Sequence, residues 1–359
     1  MKKSLLIFFA SILLAIIGLL MIYSSSSVWS LYKFNDAFYY LKHQAIFFFA
    51  GIIIILFLKN IDYNLYKKNA NIILFICLSL LILVLIPGIG KVRNGSRSWF
   101  GIGAFGMQPS EISKIALIIF TAKYLSNNER EVKSFKKGIF PILIIISLFF
   151  GLIMLEPDFG TAMVIVMTLV SMLFVSNIKL SFFGYTGLLG LLGIVALIII
   201  APYRMSRIIS FINPWLDPLG SGFQIIQSLY AIGPGGLFGL GFGNSIQKHF
   251  YLPEPQTDFI FAIISEEFGI MGITILSILF ITLFVNVIKI SMNTNDLFAK
   301  YLSFGLIMGI MIQTVLNICV VIGIVPVTGV TLPFISYGGS SLLVSMASIG
   351  IILNIAKKE

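Results

Sequence analysis

The residues of this chain best suited to chemistry are acids standing where an apolar run begins or inside one. In Leu252-Pro253-Glu254-Pro255-Gln256-Thr257-Asp258-Phe259-Ile260-Phe261, a carboxylate closes a long polar stretch and apolar residues follow at once. At a helix start the positive end of the helix dipole favours an ionised aspartate, which can accept a proton. An aspartate there is equally suited to capping free amides, and position does not separate the two readings. In Gln108-Pro109-Ser110-Glu111-Ile112-Ser113-Lys114, proline marks a first helical turn. Glu111 and Lys114, three residues apart, share one helix face. Capping accounts for Glu111 but leaves Lys114 unexplained, and an ionisable pair inside an apolar span points to function. Glu156 and Asp158 flank Pro157; they are turn residues, or oxygen ligands for a divalent cation such as Mg or Mn. Glu266 and Glu267 fall about 12 Å beyond Asp258 along the same helix, so they must face a cavity or paired partners.

Three polar segments surround these acids. Between Gly88 and Met107, Lys91, Arg93, Asn94, Arg97 and Trp99 collect. Arginine suits phosphate through its fork of donors, and tryptophan belongs at a headgroup interface; simple anchoring explains the group as well. The region from Pro202 to Thr257 carries Arg204 and Arg207, an amphipathic piece from Phe223 to Tyr230 expected to lie in the interface, and the glycines 233, 235, 236, 239, 241 and 243. Long ordered connections are usually functional. So many glycines let backbone approach a ligand closely, with a lid or hinge as an equal account. Pro326 to Ser341, containing Ser336, Gly338 and Gly339, has too many breakers for a continuous helix. Irregular backbone at membrane depth is tolerated where it lines a cavity or is buried in protein, so this stretch is expected to form a wall of the site or a plain connector.

What positions these residues is a membrane bundle. Of the residues 58% are hydrophobic and 11% charged, and the mean hydropathy is +1.04, which excludes a soluble domain. The expected fold is all-α and polytopic, one domain over residues 1–359. Its ten transmembrane helices are expected at 4–24, 43–58, 70–87, 109–125, 139–155, 159–176, 181–201, 258–288, 298–324 and 339–356. The stretch 258–288 exceeds what a bilayer requires and is expected to tilt or project. The first span is too long, and lacks the small-residue cleavage pattern, for a signal peptide. With the amino terminus inside, 15 of the 24 lysines and arginines fall on the cytoplasmic side, which places both termini in the cytoplasm and the 202–257 loop, between helices 7 and 8, outside. The net charge of +10 follows from this bias and from attraction to anionic lipid; it makes no case for nucleic acid, and the charge run from Asn127 to Lys137 reads as a solvated loop. Cys77 and Cys319 lie in apolar spans, and His43 and His249 are isolated, so neither thiol chemistry nor a protein-held zinc is expected. No Walker-type loop is present.

Five segments together resemble the SEDS family, which includes FtsW, RodA and SpoVE: Asn94 to Trp99, Gln108 to Glu111, Pro157 to Thr161, Asn213 to Phe261 and Leu332 to Ser341. The last two are the most specific, and Pro253 to Asp258 with Pro326 to Pro333 is closer to the FtsW and SpoVE branch. The resemblance implies a peptidoglycan glycosyltransferase of the bacterial cytoplasmic membrane. It would polymerise lipid II, an undecaprenyl-diphosphate-linked disaccharide pentapeptide, on the outer face, for septal or spore cortex wall synthesis. Asp258 would be the base; Arg97, Lys114, Arg204 and Arg207 would steady the diphosphate, with Glu111 holding Lys114. Trp99, Asp158, Ser336, Gly338 and Gly339 would complete the substrate site. No covalently bound cofactor is expected; a divalent cation is, if any, held by Asp158 and Glu156. Implied partners are a class B penicillin-binding protein, which would meet the outer loops and the long helix after Asp258, and other division or sporulation membrane proteins. The alternatives are a lipid II flippase, a RodA-type elongation polymerase, or a scaffold for the transpeptidase. Polar motifs gathered on one side, with no internal repeat, disfavour transport, and a scaffold leaves Lys114 and Asp258 without a role.

Overall fold

The structure, a computed structural model, describes residues 2–93, 95–102, 105–176, 178–200 and 202–358. The chain runs as α1 (Lys2–Phe34), α2 (Tyr39–Leu58) and α3 (Tyr63–Leu85), then three short strands, β1 (Lys91–Arg93), β2 (Ser96–Ile102) and β3 (Phe105–Met107). There follow α4 (Pro109–Asn127), α5 (Phe140–Leu155), α6 (Phe159–Val175), α7 (Leu180–Ile200), α8 (Pro202–Ile212), α9 (Phe223–Ile232), α10 (Ile260–Asn293), α11 (Leu297–Val321) and α12 (Gly339–Lys358). Among the described residues, α1, α2, α3, α10, α11 and α12 are long and apolar enough to cross a membrane, and α5 and α6 are shorter apolar helices. Such a set defines a polytopic membrane protein.

Local chemistry sets several helix ends. Asp62, Asp158 and Asp296 accept backbone N–H bonds at the starts of α3, α6 and α11, satisfying amides that no helical carbonyl can reach. The Asp62 cap starts α3 seven residues before the expected 70, drawing Asn64, Lys67 and Lys68 into the helix. α1 overruns its expected end at residue 24 by ten residues. The serines that weakened the apolar pattern are buried here, and Ser26 Oγ donates to the Ile22 carbonyl at 2.6 Å, so its polarity is met within the helix.

α11 and α12 form the centre. Of their most apolar windows, 67% and 72% of the residues are buried, against 22% for α2 and for α3. α12 packs on α2, α1 on α10, and α11 on α4, α6 and α10. Small residues permit the close approaches: a Cβ at Gly18 would meet the Phe334 carbonyl at 2.5 Å, and one at Gly350 would lie 3.2 Å from the Ile55 backbone.

Two expected loops hold regular structure. The segment after Gly88 is an antiparallel sheet in the order β1-β2-β3, pairing Lys91 with Trp99 and Phe100 with Met107. The region 202–257 contains α8 and α9. The piece expected to lie in the lipid interface is α9; one face of it buries Ile225, Ile226 and Ala231 against protein, with Ser228 Oγ donating to the Val321 carbonyl at 2.7 Å. Nor is the stretch after Asp258 one continuous helix. Gly269, at φ 57° and ψ −152°, breaks α10 into a short piece and a long one.

Candidate active site

Asp258 stands one residue outside the N-cap of α10. That cap is Phe259, and no side chain bonds to the free amides there, so Asp258 is not spent on capping. Its segment is fixed through the backbone instead. The Gln256 carbonyl accepts from Tyr337 N at 2.8 Å, the Thr257 carbonyl from Ser336 Oγ at 2.6 Å and the Asp258 carbonyl from Asn317 Nδ2 at 2.8 Å. Gly329, in left-handed backbone at φ 75°, passes so near that a Cβ there would lie 3.7 Å from Asp258 Oδ2. The carboxylate is half-buried in a recess. Enclosure by protein, reinforced by the negative charge of Glu254, pushes its pKa up to about 6; Arg207 pulls the other way, and Asp158 adds a further upward push.

Arg207 approaches from α8, its Nη1 donating to the Val327 carbonyl at 3.1 Å. Arg204 lies on the same helix; its side chain falls outside the described residues. Lys114 Nζ pairs with Glu111 Oε2 at 2.8 Å and donates to Gln313 Oε1 at 2.6 Å, both partners buried. Gln313 Nε2 donates in turn to the Thr331 carbonyl at 3.0 Å, and Thr331 Oγ1 meets Ser341 Oγ at 3.0 Å. The lysine is thus tied across α11 to the 326–338 segment and to α12, a geometry that fixes where its ammonium group points.

Asp158 caps α6 through Thr161 N at 3.1 Å and also accepts from Gln108 Nε2 at 2.8 Å. Burial raises its pKa, Thr161 lowers it by hydrogen bonding, Glu111 raises it, and Lys114 lowers it. Glu156 is fully buried and neither carboxyl oxygen has a hydrogen-bond partner. Burial, then Asp158, pushes it up to about 8, so it is held mainly as the neutral acid at pH 7. Asp158 is thus committed to the α6 cap and to Gln108, and among the described residues no group of three or more potential metal ligands gathers.

Other expected site residues hold the framework. Ser336 Oγ donates to Thr257 and accepts from Leu332 N at 2.8 Å, which leaves its hydroxyl no proton for a substrate. Gly338 N donates to Gln44 Oε1 at 3.2 Å, and a Cβ on Gly339 would strike the Phe47 ring at 2.4 Å. Trp99 lies under the Arg93 guanidinium, 4.9 Å from ring centroid to Cζ, and Arg97 pairs with Val92 in the sheet.

The glycine-rich loop has a use other than close approach to a ligand. It closes the break in α10: Leu240 N and Gly241 N donate to the carbonyls of Glu266 and Glu267 at 2.9 Å each, while Ile270 N and Met271 N donate to Gly236 and Leu237 at 3.0 and 3.1 Å. The two acids have paired partners. Glu266 accepts from Ser245 Oγ at 2.5 Å and Ile246 N at 2.8 Å; Glu267 accepts from Ser24 Oγ at 2.6 Å and pairs with Lys248 Nζ at 3.3 Å. Gln313 and Asn317 were not singled out in the sequence. Their spacing of four in an apolar span places two amides on one helix face, the same signal that marked Glu111 and Lys114.

Asp258 therefore sits half-buried just outside α10 with Arg207 acting on it, in a polytopic helical bundle whose α4 carries the buried Lys114. The chain belongs to the FtsW/RodA/SpoVE family, described as cell cycle proteins, whose profile matches residues 4–359. It is 51% identical over 356 residues to Stage V sporulation protein E of Bacillus subtilis (strain 168), covering 99% of this chain and 97% of that one. It is 41% identical over 343 residues to the probable peptidoglycan glycosyltransferase FtsW of Coxiella burnetii, covering 95% and 92%. Among solved structures it is similar to a chain from work on the coordination of polymerization and crosslinking by a peptidoglycan synthase complex, with a TM-score of 0.77 at 26% identity over 98% of this chain and 97% of that one. It is also similar to the rod shape determining protein RodA of Thermus thermophilus, with a TM-score of 0.72 at 25% identity, covering 98% and 96%.

Proposed function

We propose that this chain is a peptidoglycan glycosyltransferase that polymerises lipid II, with Asp258 as its general base. The observation that carries the proposal is the Asp258 recess: a carboxylate free of capping, shifted towards neutrality, with Arg207 beside it and the Lys114–Gln313 link behind. The acceptor's 4-hydroxyl loses its proton to Asp258 as it attacks C1 of the donor sugar. The bond from C1 to the lipid diphosphate breaks, and a β-1,4 linkage forms with inversion. A base is most useful when its pKa lies near the working pH, and a value of about 6 leaves Asp258 ionised yet basic near neutrality. Negative charge develops on the departing diphosphate, where fixed cations stabilise the transition state most; Lys114, Arg207, Arg204 and Arg97 are the residues proposed to meet it.

In this proposal α1 to α7 and α10 to α12 make ten crossings with both termini cytoplasmic, and the site faces the outer side of the bacterial cytoplasmic membrane, where lipid II and the growing strand share the bilayer surface. The names of the FtsW and SpoVE relatives and the peptidoglycan synthase neighbour support septal or sporulation wall synthesis and a class B penicillin-binding protein as partner.

Purified protein given lipid II, alone and with its transpeptidase, is expected to make glycan chains, and Asp258→Ala is expected to slow it by about 10² to 10⁴. Equal chain yield from the variant refutes the assignment of the base. No chains under any condition, with labelled lipid II crossing proteoliposomes, makes the protein a transporter instead.

A further inference from the structure

The site mouth continues into a surface of aromatic rings that none of the chemistry above uses. Phe250 and Tyr32 meet edge to face at 5.5 Å, and both contact Trp29, at 5.6 and 6.2 Å. The Trp29 indole lies beside the Tyr40 hydroxyl, and the Tyr40 ring meets Tyr337 at 4.8 Å. Tyr337 is the residue whose amide holds the Gln256 carbonyl, two positions from Asp258. The rings therefore run from the end of α1 towards Tyr337, whose backbone is tied to the segment of the candidate base.

Two features set this path apart from an ordinary interfacial belt. Its outer rings are bare, Tyr32 being 77% and Phe250 53% exposed, at the end of a helix of 33 residues. That helix is about 50 Å long, against the roughly 30 Å of a hydrocarbon core. The turn beyond it is charged, with Asp36 and Lys42 paired at 2.7 Å. Phe250, moreover, is held at φ 67°, a left-handed conformation that a bulky side chain adopts only against steric cost. Core burial does not offset that cost, since the ring is more than half bare.

Resting on the glycosyltransferase reading, we propose that Phe250, Tyr32 and Trp29 form a carbohydrate-binding shelf that holds the glycan strand beside the site. A pyranose ring has an apolar face of C–H groups and a rim of hydroxyls. Rigid aromatic rings with polar tips match both at small entropic cost, and adjacent rings set edge to face offer successive sugars differently tilted surfaces.

The test uses the full chain in detergent with two probes, lipid II and a soluble GlcNAc–MurNAc tetrasaccharide that needs no turnover. Phe250→Gly removes the ring and relieves the backbone at once, and Tyr32→Ala alters an exposed helix surface, so neither variant is expected to impair folding. The double variant is expected to bind the tetrasaccharide at least about fivefold more weakly and to give chains shortened by a similar factor, with initial lipid II consumption within about twofold of the parent; Tyr32→Trp is expected to keep both. Unchanged tetrasaccharide binding in the double variant, or none in the parent, overturns the shelf. So does a change in chain length that arises only when the transpeptidase is added, which makes the surface a protein contact. A parent that binds the tetrasaccharide through these rings yet makes no glycan leaves the shelf standing and removes the polymerase reading.

Discussion

Gly239→Ala tests the claim that the glycine-rich loop splints the broken α10. Gly239 sits at φ 77°, and a Cβ there would lie 2.2 Å from the Glu267 carbonyl oxygen and 2.4 Å from Phe268 N. Both are backbone atoms of a packed helix and cannot swing aside. Left-handed backbone costs an alanine about 1 to 2 kcal/mol. Pushing the loop off the helix also breaks the bonds from Leu240 N and Gly241 N to the Glu266 and Glu267 carbonyls, at about 1 kcal/mol each. The sum is about 3 to 4 kcal/mol, which in a chain of this size lowers the melting temperature by roughly 4 to 5 °C. Gly151→Ala is the control: in α5, with no atom within 4 Å of its built Cβ, it is expected to be neutral or slightly stabilising, since alanine is the better helix former. Thermal unfolding of both variants in detergent, with glycan formation measured below the transition, decides the matter. Equal melting temperatures for Gly239→Ala and the parent refute the splint.

Asp258→Asn is expected to abolish polymerisation and to raise the melting temperature at pH 7.5 but not at pH 3. A carboxyl whose folded pKa is raised from 3.8 to about 6 favours folding most below its unfolded pKa, and that contribution is lost as pH rises through the folded value. In the parent, glycan formation measured across pH is expected to climb as Asp258 ionises near pH 6 and then level off. Glu156→Gln is expected to keep activity within about twofold at pH 7, because a carboxyl pushed up to about 8 is already mostly neutral there; a large loss at pH 7 would mean that its charge is used. Lys114→Met strands the buried Glu111 carboxylate without its cation and is expected to destabilise by about 3 to 5 kcal/mol, with Glu111→Gln combined with Lys114→Met milder than Lys114→Met alone in thermal melts.

The part of the site carried by charge was legible in the sequence, and the part carried by uncharged polar groups was not. A charged group in an apolar span is so costly that Glu111, Lys114 and Asp258 declare themselves. Gln313 and Asn317 cost little once hydrogen-bonded, and their partners, Lys114, Thr331, Val330 and the Asp258 carbonyl, come from other elements. The break at Gly269 was hidden for a similar reason. The surrounding Glu267-Phe268-Gly269-Ile270-Met271 is apolar enough to continue a helix, and the groups that replace its missing bonds lie some thirty residues earlier, at Gly236 to Gly241. The density of glycine correctly marked close backbone approach; the surface approached is a helix of the same chain. The expected end of the first span at residue 24 falls short because Ser24, polar in an apolar run, is satisfied by Glu267 of a distant helix.

The break in α10 also decides what the bilayer can do to the reaction. At Gly269 the helical ladder between the stretch 270–293 and the short piece that begins beside Asp258 is interrupted, so a load on the long piece is not passed on along one rigid rod. Force crossing the break runs through the 236–241 backbone and the backbone carbonyls of Glu266 and Glu267, so the loop acts as a coupling with its own stiffness. A change in that coupling therefore reaches the piece beside Asp258 without touching a residue proposed to meet substrate.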